Sequence, residues 1–259
     1  MSAGAVVVKV GGHEVDDPAW LERLARAVAA RDGGTVIVHG GGKEVSALQR
    51  TLGAEPEWRD GLRVTTPETM RVVAMVLSGL VNKRIVSALV GAKVDALGVS
   101  GEDAGLIQAR PSHGGALGRT GEVVAVRAEL LSGWLAQGLT PVLSPVSRGP
   151  DGGPLNVNAD EAAAAVAAVL GAAELLFVSN VAGVLADGAV VGEVAAEEVE
   201  RLIEEGTAAG GMAPKLRFAA KAAAAVGRVR IGGVEMLDDT RAGTCVTAGA
   251  PPLARKALG

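Results

Sequence analysis

Tyrosine is absent from the 259 residues, and phenylalanine, tryptophan and cysteine number only two, three and one. A chain of this length buries roughly three quarters of the surface its unfolded form exposes, so a core of Ala, Val and Leu is attainable without aromatic bulk or covalent staples. Cys245 cannot make an internal disulfide and is read as packing. One thiol and three scattered histidines (His13, His39, His113) exclude a Cys/His zinc cluster, which needs a full set of converging ligands. Basic blocks are also missing: 25 Lys+Arg stand against 29 Asp+Glu, a net charge of −4. The footprint needed to bind a phosphate backbone is therefore absent, and no nucleic-acid partner is expected.

The segment Met1 to Val10 carries no cationic stretch ahead of an apolar core, and it runs directly into a glycine turn. The apolar stretch Ala162 to Leu170 is about half of the roughly 20 residues that cross a bilayer. The expectation is a cytoplasmic protein with no membrane partner.

What is present is alternation. Apolar runs of strand length (Ala5 to Val10, Thr35 to Val38, Ala96 to Val99, Thr140 to Ser144, Leu175 to Ser179, Val229 to Gly232) are separated by amphipathic segments of helix length. The expected helices are Pro18 to Ala30, Glu44 to Leu52, Pro67 to Val90, Ala128 to Gln137, Asp160 to Leu170, Ala196 to Glu205 and Met212 to Val226. Pro18 behind Asp17 and Pro67 behind Thr66 are helix-start signals. The pattern predicts an α/β fold with a largely parallel sheet. Two stretches interrupt it: Gly101 to Val126, read as a hairpin excursion over one face, and the turn cluster Ser147 to Pro154.

Common catalytic signatures fail. Gly98-Val99-Ser100-Gly101-Glu102 lacks the second glycine of a nucleophile elbow, and no G-x-x-x-x-G-K-[ST] loop occurs. In Gly40-Gly41-Gly42-Lys43-Glu44-Val45, Val45 stands where a dinucleotide fingerprint needs glycine. There remain three glycine turns, each expected to follow a strand and precede a helix: Gly11-Gly12, Gly40-Gly41-Gly42 and Gly210-Gly211. Such junctions suit phosphate or carboxylate, because glycine lets backbone N–H groups approach an anion and the helix end adds positive potential. Lys9 is a cation ending an apolar strand, Lys215 lies in a first helical turn, and Asp160 stands at a helix start. Each has a plain alternative: a lysine reaching to solvent, a solvated helix residue, and an N-cap.

In order, Lys9-Val-Gly-Gly, Val38-His-Gly-Gly-Gly, Gly61-Leu-Arg-Val-Thr, Val81-Asn-Lys, Leu155-Asn-Val-Asn-Ala-Asp160 and Gly211-Met-x-x-Lys215 resemble the amino acid kinase superfamily and, within it, the kinases that phosphorylate N-acetylglutamate. The resemblance covers essentially the whole chain. It implies a three-layer αβα sandwich with an open, mainly parallel central sheet. Residues 1–172 would form an N-terminal lobe for acyl substrate and dimerisation, and residues 173–259 a C-terminal lobe for ATP. Lys9 and Lys215 would contact the transferring phosphoryl group, with Asp160 holding both lysines. Gly41, Gly42, Arg63, Asn156 and Asn158 would grip the substrate. Gly11, Gly12, Ser179, Asn180, Gly210 and Met212 would line the nucleotide site, with Mg²⁺ arriving on ATP and no protein metal ligand assigned. Asn180 stands where acetylglutamate kinases commonly carry Asp and where kinases of carrier-bound aminoadipate typically have Asn. Gly61-Leu-Arg-Val-Thr matches the acetylglutamate pattern and ranks that substrate first.

The implied reaction needs no general base, because a side-chain carboxylate with a reference pKa of about 4.3 is already ionised at neutral pH. The other readings are the carrier-linked kinase and a sensor of the same fold that binds without transferring. With eight residues ahead of Lys9, the resemblance further implies a homodimer insensitive to arginine, joined through the helix Pro67 to Val90.

Overall fold

A computed structural model describes residues 4–249 except 13, 60, 187 and 209, so His13 lies outside the described residues. The first half of the chain runs β1 (Val6–Val10), α1 (Pro18–Ala29), β2 (Thr35–His39), α2 (Gly42–Thr51), the short β3 (Trp58–Arg59) and β4 (Leu62–Arg63), and α3 (Pro67–Ala74). A π-helical segment Met75–Val81 joins α3 to α4 (Asn82–Gly91), and β5 (Ala96–Gly101), β6 (Ile107–Pro111), β7 (Thr120–Val126) and α5 (Ala128–Ala136) follow. The remainder is β8 (Thr140–Arg148), β9 (Pro154–Val157), α6 (Ala159–Val169), β10 (Glu174–Val178), β11 (Leu185–Ala186), β12 (Ala189–Val190), β13 (Glu193–Ala195), α7 (Val199–Glu204), α8 (Met212–Ala223), β14 (Val229–Gly232) and β15 (Thr244–Thr247).

The result is a mixed α/β fold on one central sheet, ordered β13-β15-β14-β10-β1-β2-β8-β6-β7-β9 with β5 also on β8. Parallel pairing joins β1 to β10 and β2, β10 to β14, and β8 to β2 and β5. Antiparallel pairs occur at β14–β15, β6–β7 and β8–β9. Strands β1 and β2 are buried along their full length, as continuous apolar runs covered on both faces must be.

Because side chains alternate across a strand, each run feeds two cores. Val7, Val36, Val38, Leu175, Phe177, Val229 and Ile231 pack with α6 and α8 in one. Val6, Val8, Val10, Ile37, Leu176 and Val178 pack with α1, α3 and α4 in the other. Lys9 shares the parity of Val7, so its side chain leaves the sheet on the α6/α8 face.

Several expectations need correcting. The stretch from Gly101 to Val126 forms the expected hairpin, β6 with β7, but as part of the sheet and not over one face: β6 also pairs with β8, and β7 with β9. Strand β8 runs on to Arg148, past the expected end at Ser144, which shrinks the turn before β9. Pro145 is tolerated mid-strand because the β5 register jumps there, from Ser100 opposite Ser144 to Gly101 opposite Ser147. The expected helix Pro67 to Val90 is interrupted by the π-helical segment. The glycine turn Gly210-Gly211 follows helix α7, not a strand. The stretch Pro67–Gly91 is long and apolar enough to cross a membrane by length and composition, with mean hydropathy 1.6 and 44% of its most apolar window buried in the fold.

Candidate active site

Asp160 lies in the first turn of α6, yet it does not cap that helix. Asn158 does, its Oδ1 accepting from the N–H groups of Asp160 at 2.8 Å and Glu161 at 3.4 Å. The Asp160 carboxylate is thereby left for two cations: Oδ1 is 2.8 Å from Lys9 Nζ and 3.4 Å from Lys215 Nζ. All three residues are at least nine-tenths buried. The plain alternatives for Lys9, Lys215 and Asp160 are thus excluded, since the lysines do not reach solvent and Asp160 is not the cap.

The electrostatics follow from this geometry. Burial works against the charge on Asp160, but the two ammonium groups overcome it and hold the carboxyl below its ordinary value. Lys215 is pushed down to about 8, by burial first and by the nearby Lys9 charge second. Its Nζ also sits 5.7 Å from the centre of the Phe177 ring. Two cations share one anion, so the cluster carries surplus positive charge.

Lys9 and Asp160 line a cavity of about 530 Å³ together with Gly12, Gly40, Gly41, Gly42, Arg63, Asn156 and Asn158. The two glycine loops pack backbone to backbone: a Cβ on Gly12 would lie 2.8 Å from the Gly41 Cα. Gly41 has φ +155°, and a Cβ there would meet Leu77 Cδ2 at 2.6 Å. Helix α2 starts at Gly42 without a side-chain cap, so its first N–H groups have no partner of that kind.

Arg63 is the second cationic feature. The residue is 4% exposed, and its guanidinium donates through Nη2 to Gly42 O and Ser46 Oγ at 2.8 Å and through Nη1 to Gln49 Oε1, and lies 4.4 Å from the Trp58 ring centre. Burial pushes its pKa down to about 10, with Arg50 adding to the shift, and it stays charged at neutral pH. None of the ion pairs among the described residues gives Arg63 a carboxylate. A buried guanidinium satisfied only by neutral acceptors keeps its positive charge uncompensated beside the cavity. Asn156 Nδ2 donates to Thr65 Oγ1 at 3.1 Å, behind the same wall.

The expected site residues thus divide. Lys9, Asp160, Gly12, Gly41, Gly42, Arg63, Asn156 and Asn158 converge on this cavity, and Lys215 joins through Asp160. Ser179 and Asn180 line a second cavity of about 570 Å³, with Glu14, Trp20, Arg23 and Glu235. Gly11 lines neither of the two, and its Cα faces the Glu14 carboxylate. Gly210 and Met212 stand at the entry to α8, away from both cavities. Sequence reasoning missed His39, Ser46, Gln49 and Trp58. The signal for Ser46 and Gln49 was two polar residues one helical turn apart on the buried side of α2. Among the described residues no three His, Cys, Asp or Glu side chains come together as a metal site.

Residues 4–233 match the amino acid kinase family. The acetylglutamate kinase of Roseiflexus sp. (strain RS-1) is 51% identical over 216 residues, covering 83% of this chain and 82% of that protein. That of Geobacillus stearothermophilus is 47% identical over 219 residues, 84% of each. In fold, the chain superposes on N-acetylglutamate synthase from Neisseria gonorrhoeae, complexed with coenzyme A and N-acetyl-glutamate, with a TM-score of 0.84, 24% identity, and coverage of 96% of this chain and 60% of that one. The sheet, the Lys-Asp-Lys cluster beneath two glycine loops and these matches give one answer: the chain belongs to the amino acid kinase family, alongside the acetylglutamate kinases it matches.

Proposed function

We propose that the chain transfers the γ-phosphoryl group of ATP to the γ-carboxylate of N-acetyl-L-glutamate, releasing ADP and the acyl phosphate, the phosphorylation step of arginine biosynthesis. The observation that carries this reading is the buried Lys9–Asp160–Lys215 cluster, placed under a cavity that also holds an unpaired guanidinium. The acyl phosphate forms as a carboxylate oxygen attacks phosphorus and the bond to the ADP oxygen breaks. Nucleophile and phosphoryl group are both anions, so catalysis consists of alignment and charge neutralisation. Lys9 and Lys215 lie against the transferring phosphoryl group, and Asp160 sets their spacing without accepting a proton. Arg63 takes a substrate carboxylate as a planar fork, with Gly41, Gly42, Asn156 and Asn158 around it. Gly11, Gly12, Ser179, Asn180, Gly210 and Met212 serve the nucleotide, and Mg²⁺ arriving with it would help to neutralise the phosphate charge.

We read the architecture as a three-layer αβα sandwich, with acyl substrate in residues 1–172 and nucleotide in residues 173–259. Exposed Met75, Leu80 and Val90 on the π segment and α4 supply an apolar face for a homodimer. The enzyme works where ATP is at hand, in the cytoplasm. Asn180 bears on the rival reading of a carrier-linked aminoadipate kinase. It is exposed and lines the second cavity, apart from Arg63, so its departure from Asp touches the nucleotide side and leaves the acyl wall intact. A sensor would have no use for a buried Lys–Asp–Lys cluster whose cost only phosphoryl binding offsets.

The decisive experiment traps acyl phosphate with hydroxylamine in the presence of ATP and Mg²⁺. Turnover of N-acetyl-L-glutamate, with silence on free glutamate, aspartate and aminoadipate, is the expected result. Silence on every free amino acid, with ATP still bound, would transfer the assignment to the carrier-linked kinase.

A further inference from the structure

The glycine loop at the cavity has a complete account of its carbonyl groups. Gly41 O accepts from Val45 N at 3.0 Å, and Gly42 O accepts from Ser46 Oγ at 2.9 Å and Arg63 Nη2 at 2.8 Å. Gly40 N donates to Val10 O at 3.1 Å, which ties the loop to β1. The remaining carbonyl, Gly40 O, lies 2.9 Å from His39 Nδ1. No hydrogen bond among the described residues uses the Gly41 or Gly42 N–H. The carbonyls are turned into the protein, and these donors are left for a ligand.

His39 is fully buried at the end of β2, and no step of the phosphoryl transfer uses it. Its other nitrogen, Nε2, is 3.1 Å from Asn82 Nδ2. The orientation of Asn82 is fixed independently: Nδ2 also donates to Val142 O at 2.9 Å and Val99 O at 3.3 Å, while Oδ1 accepts from Lys83 Nζ at 3.0 Å. The two Nδ2 protons serve three acceptors, and an amide nitrogen accepts nothing, so a proton on His39 Nε2 would face a donor; Nε2 is therefore the unprotonated nitrogen and Nδ1, against Gly40 O, carries the proton. Burial pushes the His39 pKa down to about 4, which keeps this neutral form throughout the neutral range.

We infer that His39 is a positioning residue for the phosphoryl transfer: its Nδ1–H, in the tautomer set by Asn82, holds the Gly40 carbonyl and so aims the Gly41 N–H into the cavity. The link is the peptide plane, since a trans peptide sends the carbonyl of one residue and the N–H of the next in opposite directions, and the described chain contains no cis peptide. Gly40 O faces the buried imidazole, which leaves the Gly41 N–H on the side that Gly40, Gly41 and Gly42 line. An N–H fixed in this way stabilises developing phosphoryl charge without reorganising during the reaction. The inference rests on the kinase reading above for its catalytic consequence, but its structural half stands alone.

The test has two independent arms. Long-range ¹H–¹⁵N spectra of the wild-type chain at pH 7, with the His39 signals identified by their loss in His39→Asn, should show a protonated Nδ1 and an unprotonated Nε2. An Nε2–H tautomer or an imidazolium overturns the inference, whatever the activity. In the acyl phosphate assay, His39→Leu should lower kcat roughly tenfold to a hundredfold, short of outright loss of a donor, while KM for N-acetylglutamate moves less than about threefold. His39→Asn, whose side-chain amide can donate from near the Nδ1 position, should recover kcat to within about threefold of wild type. A folded His39→Leu with wild-type kcat, or a rise in KM alone, also overturns it. Absence of wild-type turnover would instead remove N-acetylglutamate as the substrate and leave the spectra to decide the tautomer.

Discussion

Lys9, Lys215 and Arg63 are cations that burial makes expensive. Lys9 and Lys215 each add a cation to a site already balanced by Asp160, so replacing either by alanine should lower kcat by roughly 10²-fold or more, as removal of one oxyanion donor does. Near-normal turnover in a folded variant would reject the two-lysine assignment. Asp160→Asn keeps the volume and the Asn158 cap but leaves the lysines unbalanced. It should cripple kcat while circular dichroism shows the fold retained. Lys215 also predicts a pH profile. It carries its charge below its pKa of about 8, so kcat/KM should fall as pH rises through that value. The limb should move to higher pH in kcat, because bound phosphates favour the charged form. Arg63→Lys loses the fork and the stack on Trp58, and should raise KM for N-acetylglutamate about tenfold or more with a smaller effect on kcat.

At the scale of elements, Asn158 shows how much of the site was legible. The string Asn156-Val-Asn-Ala-Asp160 announced a helix start and a polar cluster, but one residue could take the cap and the other the lysines. The spacing alone did not separate them, and the backbone of α6 does. Asn158→Ala should cost about 1 kcal/mol in denaturant unfolding, as loss of a side-chain cap does, and should also loosen the first turn that carries Asp160. Lys9 was legible by a different route: an apolar strand that ends in a cation before two glycines is chemistry that packing does not ask for. The strands around β8 were not legible, because Pro145 and Ser147 read as a strand end, and only the register jump of β5 makes room for them. Nor was the break in the helix from Pro67, since a π-helical segment keeps the apolar composition of its neighbours and changes only the hydrogen-bond step. Such breaks gather near functional sites, and this one presses Leu77 and Val81 against Gly41. His39 and Asn82 both stand in strings that carry the resemblance, but nothing in one sequence joins them, since a polar contact 43 positions apart is a property of the fold.

At the scale of the molecule, the central sheet joins the two cavities through β1, which pairs with β2 on one side and β10 on the other. Exposed Met75, Leu80 and Val90 offer apolar surface for the proposed self-association. Light scattering should show a dimer, and Leu80→Glu should shift it towards monomer; a monomeric wild-type chain would remove the proposed interface. The scarcity of aromatic residues has an optical side. With no tyrosine and three tryptophans, emission excited to the red of the phenylalanine band comes from Trp20, Trp58 and Trp134 alone. They occupy separate surroundings: Trp58 lies over Arg63 at the first cavity, Trp20 lines the second, and Trp134 packs against the core. The chain therefore carries its own pair of fluorescent reporters. Titration with N-acetylglutamate should perturb a signal that Trp58→Phe removes, while nucleotide should perturb one that Trp58→Phe leaves intact.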